Sequence, residues 1–212
     1  MALAVDMYQL GPIGTNCYVV RADEAAREAV VVDPGGEAER LTAELERGGS
    51  SCAAIVLTHT HFDHLGGVAD LADATGAPVY VSPDAVGGLV SPFSPPGLEV
   101  RGFEGARQVS GGETLELAGI GFDVLDVPGH APGHLSYYAD GSLFSGDVLF
   151  AGGVGRVDIP GGDWDTLLDS IRLLTERYPP ETVVYSGHGA ATTLGAELAR
   201  NPFLAELRAA SQ

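Results

Sequence analysis

The stretch LTHTHFDHLGG at residues 57–67 places three histidines and an aspartate within six positions of a chain that has six histidines in 212 residues. His59, His61, Asp63 and His64 follow directly on the apolar run AAIVLT. Imidazole and carboxylate groups beside a hydrophobic core are costly unless something satisfies them, and metal coordination does so. Three more candidates stand in comparable places. FDVLDVPG runs into His130, SLFSG into Asp147 and TVVYSG into His188. Each time an apolar, strand-like run meets a small or turn residue and then presents a potential ligand. In open α/β architectures the C-terminal strand ends line the functional crevice, so four such ends could converge there. Nitrogen and oxygen donors without thiolate suit zinc, iron or manganese. Seven of them suit two ions sharing a bridging carboxylate, with solvent oxygen completing the site.

The elements that must carry these residues are legible from hydrophobic pattern. CYVV, AVVVDPGG, AAIVLT, PVYVSP, FDVLDVPG, LSYYADG, SLFSGD and TVVYSG read as strands, several apolar on both faces and therefore covered on both. Residues 37–47 read as a helix with Ala38, Leu41 and Leu45 on one face, stopped by Gly48 and Gly49. Residues 64–75 read as a second, with Leu65, Val68, Leu71 and Ala72. Residues 163–177 read as a third, with Asp163 as N-cap and Trp164, Leu167, Leu168, Ile171 and Leu174 facing the core. Strands and helices alternate on both sides of VSPFSPPGLEV at residues 90–100. Each flank alone would have little core, so this stretch is expected to be a loop and residues 1–212 a single α/β domain.

Composition excludes several partners. The net charge is −18, from 29 acidic residues against 11 basic ones, all arginine. A phosphate-binding surface needs clustered positive charge, so no nucleic acid is expected, and an anionic membrane surface is equally unfavourable. No apolar run reaches 18 residues and no basic segment opens the chain, so a soluble, cytoplasmic protein is expected. Cys17 and Cys52 lie in apolar surroundings without a CxxC pair and are expected to be buried thiols. Gly152, Gly153 and Gly155 lack the GxxxxGK[ST] context of a nucleotide loop.

THTHFDH resembles the HxHxDH motif of the metallo-β-lactamase superfamily, and VVVDPGG, PGHAPGH, SGDVLF and SGHG follow in that family's order. The resemblance covers residues 8 to 204 and implies a four-layer αββα sandwich. It also implies that His59, His61 and His130 hold one metal, that Asp63, His64 and His188 hold the other, and that Asp147 bridges them. Asp33 resembles an aspartate that supports the ligands from behind, and His134 a histidine that hydrogen-bonds near the site. GGVGRVDIPGGD and NPFL resemble the short glyoxalase II-like (hydroxyacylglutathione hydrolase-like) subgroup. That subgroup implies two divalent metals, zinc first with iron or manganese as alternatives, and hydrolysis of a hydroxyacyl thioester by a hydroxide held between them. Asp63 then carries a second, catalytic assignment in proton handling, and Arg156 aligns with a substrate-contacting basic residue. Asp158 and Ala190 stand where glutathione-contacting tyrosines are usual, and little chain follows His188 for a helical glutathione-binding domain. The resemblance thus implies a small thioester or thiol-derived substrate without fixing its carrier. Asp147 replaces the cysteine of class B1 β-lactamases, so penicillin hydrolysis is not expected. Two alternatives stay open: a persulfide dioxygenase using one Fe(II) on His59, His130 and Asp147, and a lactonase or other small-ester hydrolase. Oligomeric state is left open.

Overall fold

A computed structural model describes residues 2–210 and contains two six-stranded sheets packed face to face. The first sheet runs in chain order: β1 (Ala4–Leu10), β2 (Thr15–Arg21), β3 (Glu28–Val32), β4 (Ser51–Val56), β5 (Val79–Val81) and β6 (Arg107–Gln108). The second is built from β7 (Thr114–Leu117), β8 (Ile120–Asp126), β9 (Leu135–Ala139), β10 (Ser142–Gly146), β13 (Val183–Ser186) and β14 (Thr192–Thr193). Between β10 and β13 a short hairpin, β11 (Leu149–Phe150) and β12 (Gly153–Val154), stands apart from both sheets.

Strand alternation divides the apolar residues into three cores. Tyr18, Val20, Val30 and Val32 point between the sheets and meet Phe122, Val124, Tyr137 and Phe144. Their neighbours Val19 and Val31 point the other way, onto α1 (Ala38–Arg47) and α3 (Val68–Thr75), through Leu41, Leu45, Val68 and Leu71. On the far side Leu125, Leu143 and Val184 meet Leu167, Ile171 and Leu174 of α5 (Trp164–Arg177) and Leu194 of α6 (Leu194–Arg200). The layers are therefore helix, sheet, sheet, helix, as the resemblance implies. α4 (Val86–Val90), a 3₁₀ turn at Pro202–Leu204 and α7 (Ala205–Ala210) complete the chain.

The caps follow the sequence. Asp163 accepts the Thr166 N–H at 2.8 Å and starts α5, and Gly48 ends α1. Residues 91–106 form the connection from α4 to β6, the edge strand of the first sheet. One expectation is corrected. Residues 64–75 are not one helix: α2 (Phe62–Leu65) is a single turn, and Gly66 and Gly67 separate it from α3. A β-carbon on Gly66 would collide with the Gly35 carbonyl, and one on Gly67 would crowd Gly36 and Pro34. The chain breaks there because two backbones pass too closely for any side chain. Among the described residues no helix is long and apolar enough to cross a membrane. Cys17 and Cys52 are free and buried.

Candidate metal centre

Strand direction gathers the seven candidates. β8 and β10 both run antiparallel to β9, and β10 runs parallel to β13, so their C-terminal ends share one edge of the second sheet. His130, Asp147 and His188 follow those three ends. The first sheet contributes the rest: His59 follows β4 across Leu57 and Thr58, His61 precedes α2 in extended conformation, and Asp63 and His64 lie on α2.

Ligating atoms of His59, His61 and His130 lie within 4.8 Å of one another, and so do those of Asp63, His64 and His188. Asp147 stands between the two groups. Its Oδ1 is 3.4 Å from His64 Nε2, and its Oδ2 is 3.4 Å from His188 Nε2 and 3.6 Å from His130 Nε2. Asp33, His59 and His64 form a third close group. Asp33, however, is already engaged: Oδ1 accepts the Thr58 N–H at 2.8 Å, and Oδ2 accepts the Thr58 hydroxyl at 2.6 Å and His64 Nδ1–H at 2.9 Å. Its backbone takes the left-handed conformation, with φ of 49°, that turns the carboxylate onto these partners.

These contacts fix the tautomers. Oxygen acceptors hold His64 Nδ1–H on Asp33 and His130 Nδ1–H on the Arg156 carbonyl at 2.8 Å. The Thr58 hydroxyl donates to Asp33 and so accepts from His59 Nδ1 at 3.1 Å. All three rings thus turn Nε2 inward, toward the cluster. His59 Nε2, His64 Nε2 and Asp147 Oδ1 are buried with no hydrogen-bond partner. A buried polar atom left unpaired costs about 1–3 kcal/mol. Three such unpartnered ligand atoms facing one space fit divalent cations, which need no donor hydrogen.

The electrostatics agree. Burial pushes His59 and His134 well below the usual imidazole range, and burial with His130 alongside lowers His61 to about 4. Burial opposes ionisation of Asp63 and Asp147, but His188 and His64 outweigh it, holding Asp63 at about 2 and Asp147 well below the usual carboxylate range. Asp147 and Asp63 raise His188 to about 9. Burial also works against a charged His64, yet Asp147 and Asp33 raise it well above its usual value. Protons on these two rings occupy positions a metal would take over.

His134 belongs to neither group. Its Nε2 accepts the Asp147 N–H at 3.2 Å, and its ring stacks on His59 with centroids 4.6 Å apart. It therefore holds the Asp147 backbone and one face of a candidate ligand. Arg156 reaches the cleft wall, but its guanidinium is paired with Asp158 at 2.7 and 2.9 Å.

Several supports carry no sequence signal of their own. Thr15 donates to Asp63 Oδ2 at 2.8 Å. Asn16 Nδ2 donates to the Ser186 and Gly189 carbonyls, each at 2.9 Å, and the Tyr18 hydroxyl donates to the Ser186 carbonyl at 2.6 Å. β2 therefore pins the loop that carries His188. Gly187 lets this loop close, because a β-carbon there would strike Asp147 and His64. Thr58 had the best clue, a small polar residue directly before the first histidine. A cleft of about 450 Å³ opens over the cluster, with Ile13, Phe62, Phe93, Phe150 and Ile159 in its walls.

Comparison with known proteins agrees with this arrangement. The profile described as Metallo-beta-lactamase superfamily matches residues 10–188. The hydroxyacylglutathione hydrolase GloC of Haemophilus influenzae is 36% identical over 199 residues, covering 89% of this chain and 92% of that protein. Among solved structures, the BLEG-1 B3 metallo-beta-lactamase is 40% identical with a TM-score of 0.84, covering 95% of this chain and all of that one. TTHA1623 in a di-iron-bound form is also 40% identical, with a TM-score of 0.84 over 94% of this chain and all of that one. ETHE1 from Myxococcus xanthus is 28% identical, with a TM-score of 0.80 over 96% of this chain and 85% of that one.

Proposed function

Because this chain belongs to the metallo-beta-lactamase superfamily, we propose that it is a metal-dependent hydrolase of hydroxyacyl thioesters. The observation that carries this reading is the pair of three-residue groups joined by Asp147 beneath an open cleft. His59, His61 and His130 would hold one divalent cation and Asp63, His64 and His188 the other, with Asp147 shared and zinc, iron or manganese as the ion. Such a pair supplies water that ionises near neutral pH and polarises a carbonyl. Asp33, Thr58 and the Arg156 carbonyl hold the Nδ1 sides of His64, His59 and His130 and so aim their Nε2 atoms at the cluster. His134 and Gly187 keep Asp147 at its central position. Asp63 borders the cleft and would take the proton of the attacking water at Oδ1, the oxygen that Thr15 does not engage. A thiolate leaves without protonation, so the step needs no general acid at the leaving sulfur. The name of the Haemophilus relative supports the thioester class.

A second reading, persulfide oxidation with one Fe(II) on His59, His130 and Asp147, draws on the likeness to ETHE1. The complete second group, Asp63, His64 and His188, favours the hydrolase. Metal analysis of the purified protein, paired with assays on a lactoyl thioester, a persulfide, a lactone and a β-lactam, separates these readings. Two metals per chain with thioester turnover is the expected result. One iron with oxygen uptake on persulfide, or turnover confined to lactone or β-lactam, would replace it.

A further inference from the structure

We infer that, among hydroxyacyl thioesters, the cleft selects those on uncharged carriers whose acyl group bears an apolar chain, and discriminates against thiol carriers that bear carboxylates. This inference rests on the thioesterase reading. The cluster residues form a polar floor, while Ile13, Phe93, Phe150, Val154 and Ile159 supply apolar walls. Two of these walls are strongly exposed: Ile13 keeps 54% and Phe93 86% of its surface in contact with solvent. Phe93 lies between Pro92 and the pair Pro95–Pro96. Proline fixes φ, so the ring is presented by a stiff segment, and covering it costs little conformational freedom. The same loop is tied down where Arg101 binds Asp70 and Asp73.

Charge points the same way. Arg156 is the one arginine lining the cleft among the described residues. Both of its bonding edges toward Asp158 are taken, Nε on Oδ1 at 2.7 Å and Nη2 on Oδ2 at 2.9 Å. A carboxylate entering the cleft must therefore share an arginine whose charge Asp158 already balances, in a protein of net charge −18. An apolar acyl group meets neither obstacle and covers Phe93 and Ile13.

The experiment varies carrier and acyl group separately on the metal-loaded protein. On N-acetylcysteamine, an uncharged carrier, kcat/KM should rise about fourfold for each methylene added from glycoloyl to 2-hydroxyhexanoyl, the factor expected for burying a methylene. The same acyl group on glutathione should be about tenfold poorer, because its carboxylates compete with Asp158 for Arg156. Phe93→Ser and Ile13→Ser should flatten the chain-length dependence through KM with kcat nearly retained. Asp158→Asn should free Arg156 and raise the glutathione-to-N-acetylcysteamine ratio. Equal or better turnover on glutathione with no length dependence would overturn the inference while leaving the thioesterase intact. Absence of turnover on every thioester would count against the thioesterase instead. Calorimetric binding of the hexyl thioether of N-acetylcysteamine against S-hexylglutathione then decides the inference alone: tighter binding of the uncharged thioether supports it, and tighter binding of S-hexylglutathione defeats it.

Discussion

Asp33 accepts the Nδ1–H of His64 at 2.9 Å across 31 residues of sequence, and so decides which nitrogen of that ring faces the cluster. Replacing Asp33 by Ala removes the acceptor and frees the ring to flip its tautomer. Metal affinity should fall roughly 10- to 100-fold, read by competition with a chromophoric chelator. Asp33→Asn keeps the shape and tolerates the left-handed backbone, and should fall between wild type and Asp33→Ala.

Metal uptake should be coupled to proton release. In the metal-free protein Asp147 and Asp63 hold His188 protonated up to about pH 9, and a metal must displace that proton. Apparent affinity should therefore rise with pH from 7 towards 9 and level off above it. The same raised value, taken alone, gives the metal-free fold stability that is complete below the usual imidazole range and fades as pH rises through about 9. Calorimetry in two buffers of different ionisation enthalpy counts the protons; no release at pH 7 would contradict the assignment of His188 as a ligand.

Chelation should lower thermal stability. Free metal at 100 times its dissociation constant adds about 2.7 kcal/mol to a folded state that alone binds it. For a chain of this length that corresponds to roughly 5–10 °C in Tm. Differential scanning calorimetry with and without a chelator should show the shift, and zinc should restore it.

Gly187→Ala should abolish binding at the Asp63, His64 and His188 group, since the new methyl would occupy space held by Asp147 and His64. Metal stoichiometry after dialysis should drop from two towards one, with the far-UV circular dichroism unchanged.

Asn201→Ala should loosen the substrate-side hairpin. Asn201 Nδ2 donates to Glu197 Oε2 at 2.8 Å and to the Gly153 carbonyl at 2.9 Å, and Glu197 Oε2 also accepts the Gly152 N–H at 2.8 Å. These bonds tie α6 and its capping residue to the turn that presents Phe150 and Val154 to the cleft. Leaving buried partners unpaired should cost about 1–3 kcal/mol by urea titration, and KM should rise more than kcat falls.

The seven clustered residues were legible because polar groups directly after apolar runs violate the expected pattern of a core. α1 and α5 were legible because apolar spacing, an N-cap aspartate and paired glycines all agreed. The break between α2 and α3 depends on Gly35 and Gly36 passing overhead, a contact with no local trace beyond the glycines themselves. β6, β11, β12 and β14 have two residues each, too few to show a period. β1 was missed because its middle residues face outward and are only partly covered. Thr15, Asn16 and Tyr18 matter through partners 48 to 173 residues away, and neither residue type nor spacing announces such pairs. Phe93 sits in a proline-rich loop whose path over the cleft is set by tertiary contacts.

The bonds from Asn16 and Tyr18 to the loop around His188 span 168 to 173 residues. Closing a loop of that length pays its entropy before any contact rewards it. During synthesis the first four candidate ligands emerge early, while the second group lacks His188 until almost the whole described chain is available. On the proposed function, acquisition of the full metal complement would thereby be a terminal event of folding, and metal stoichiometry would serve as a clock for its completion.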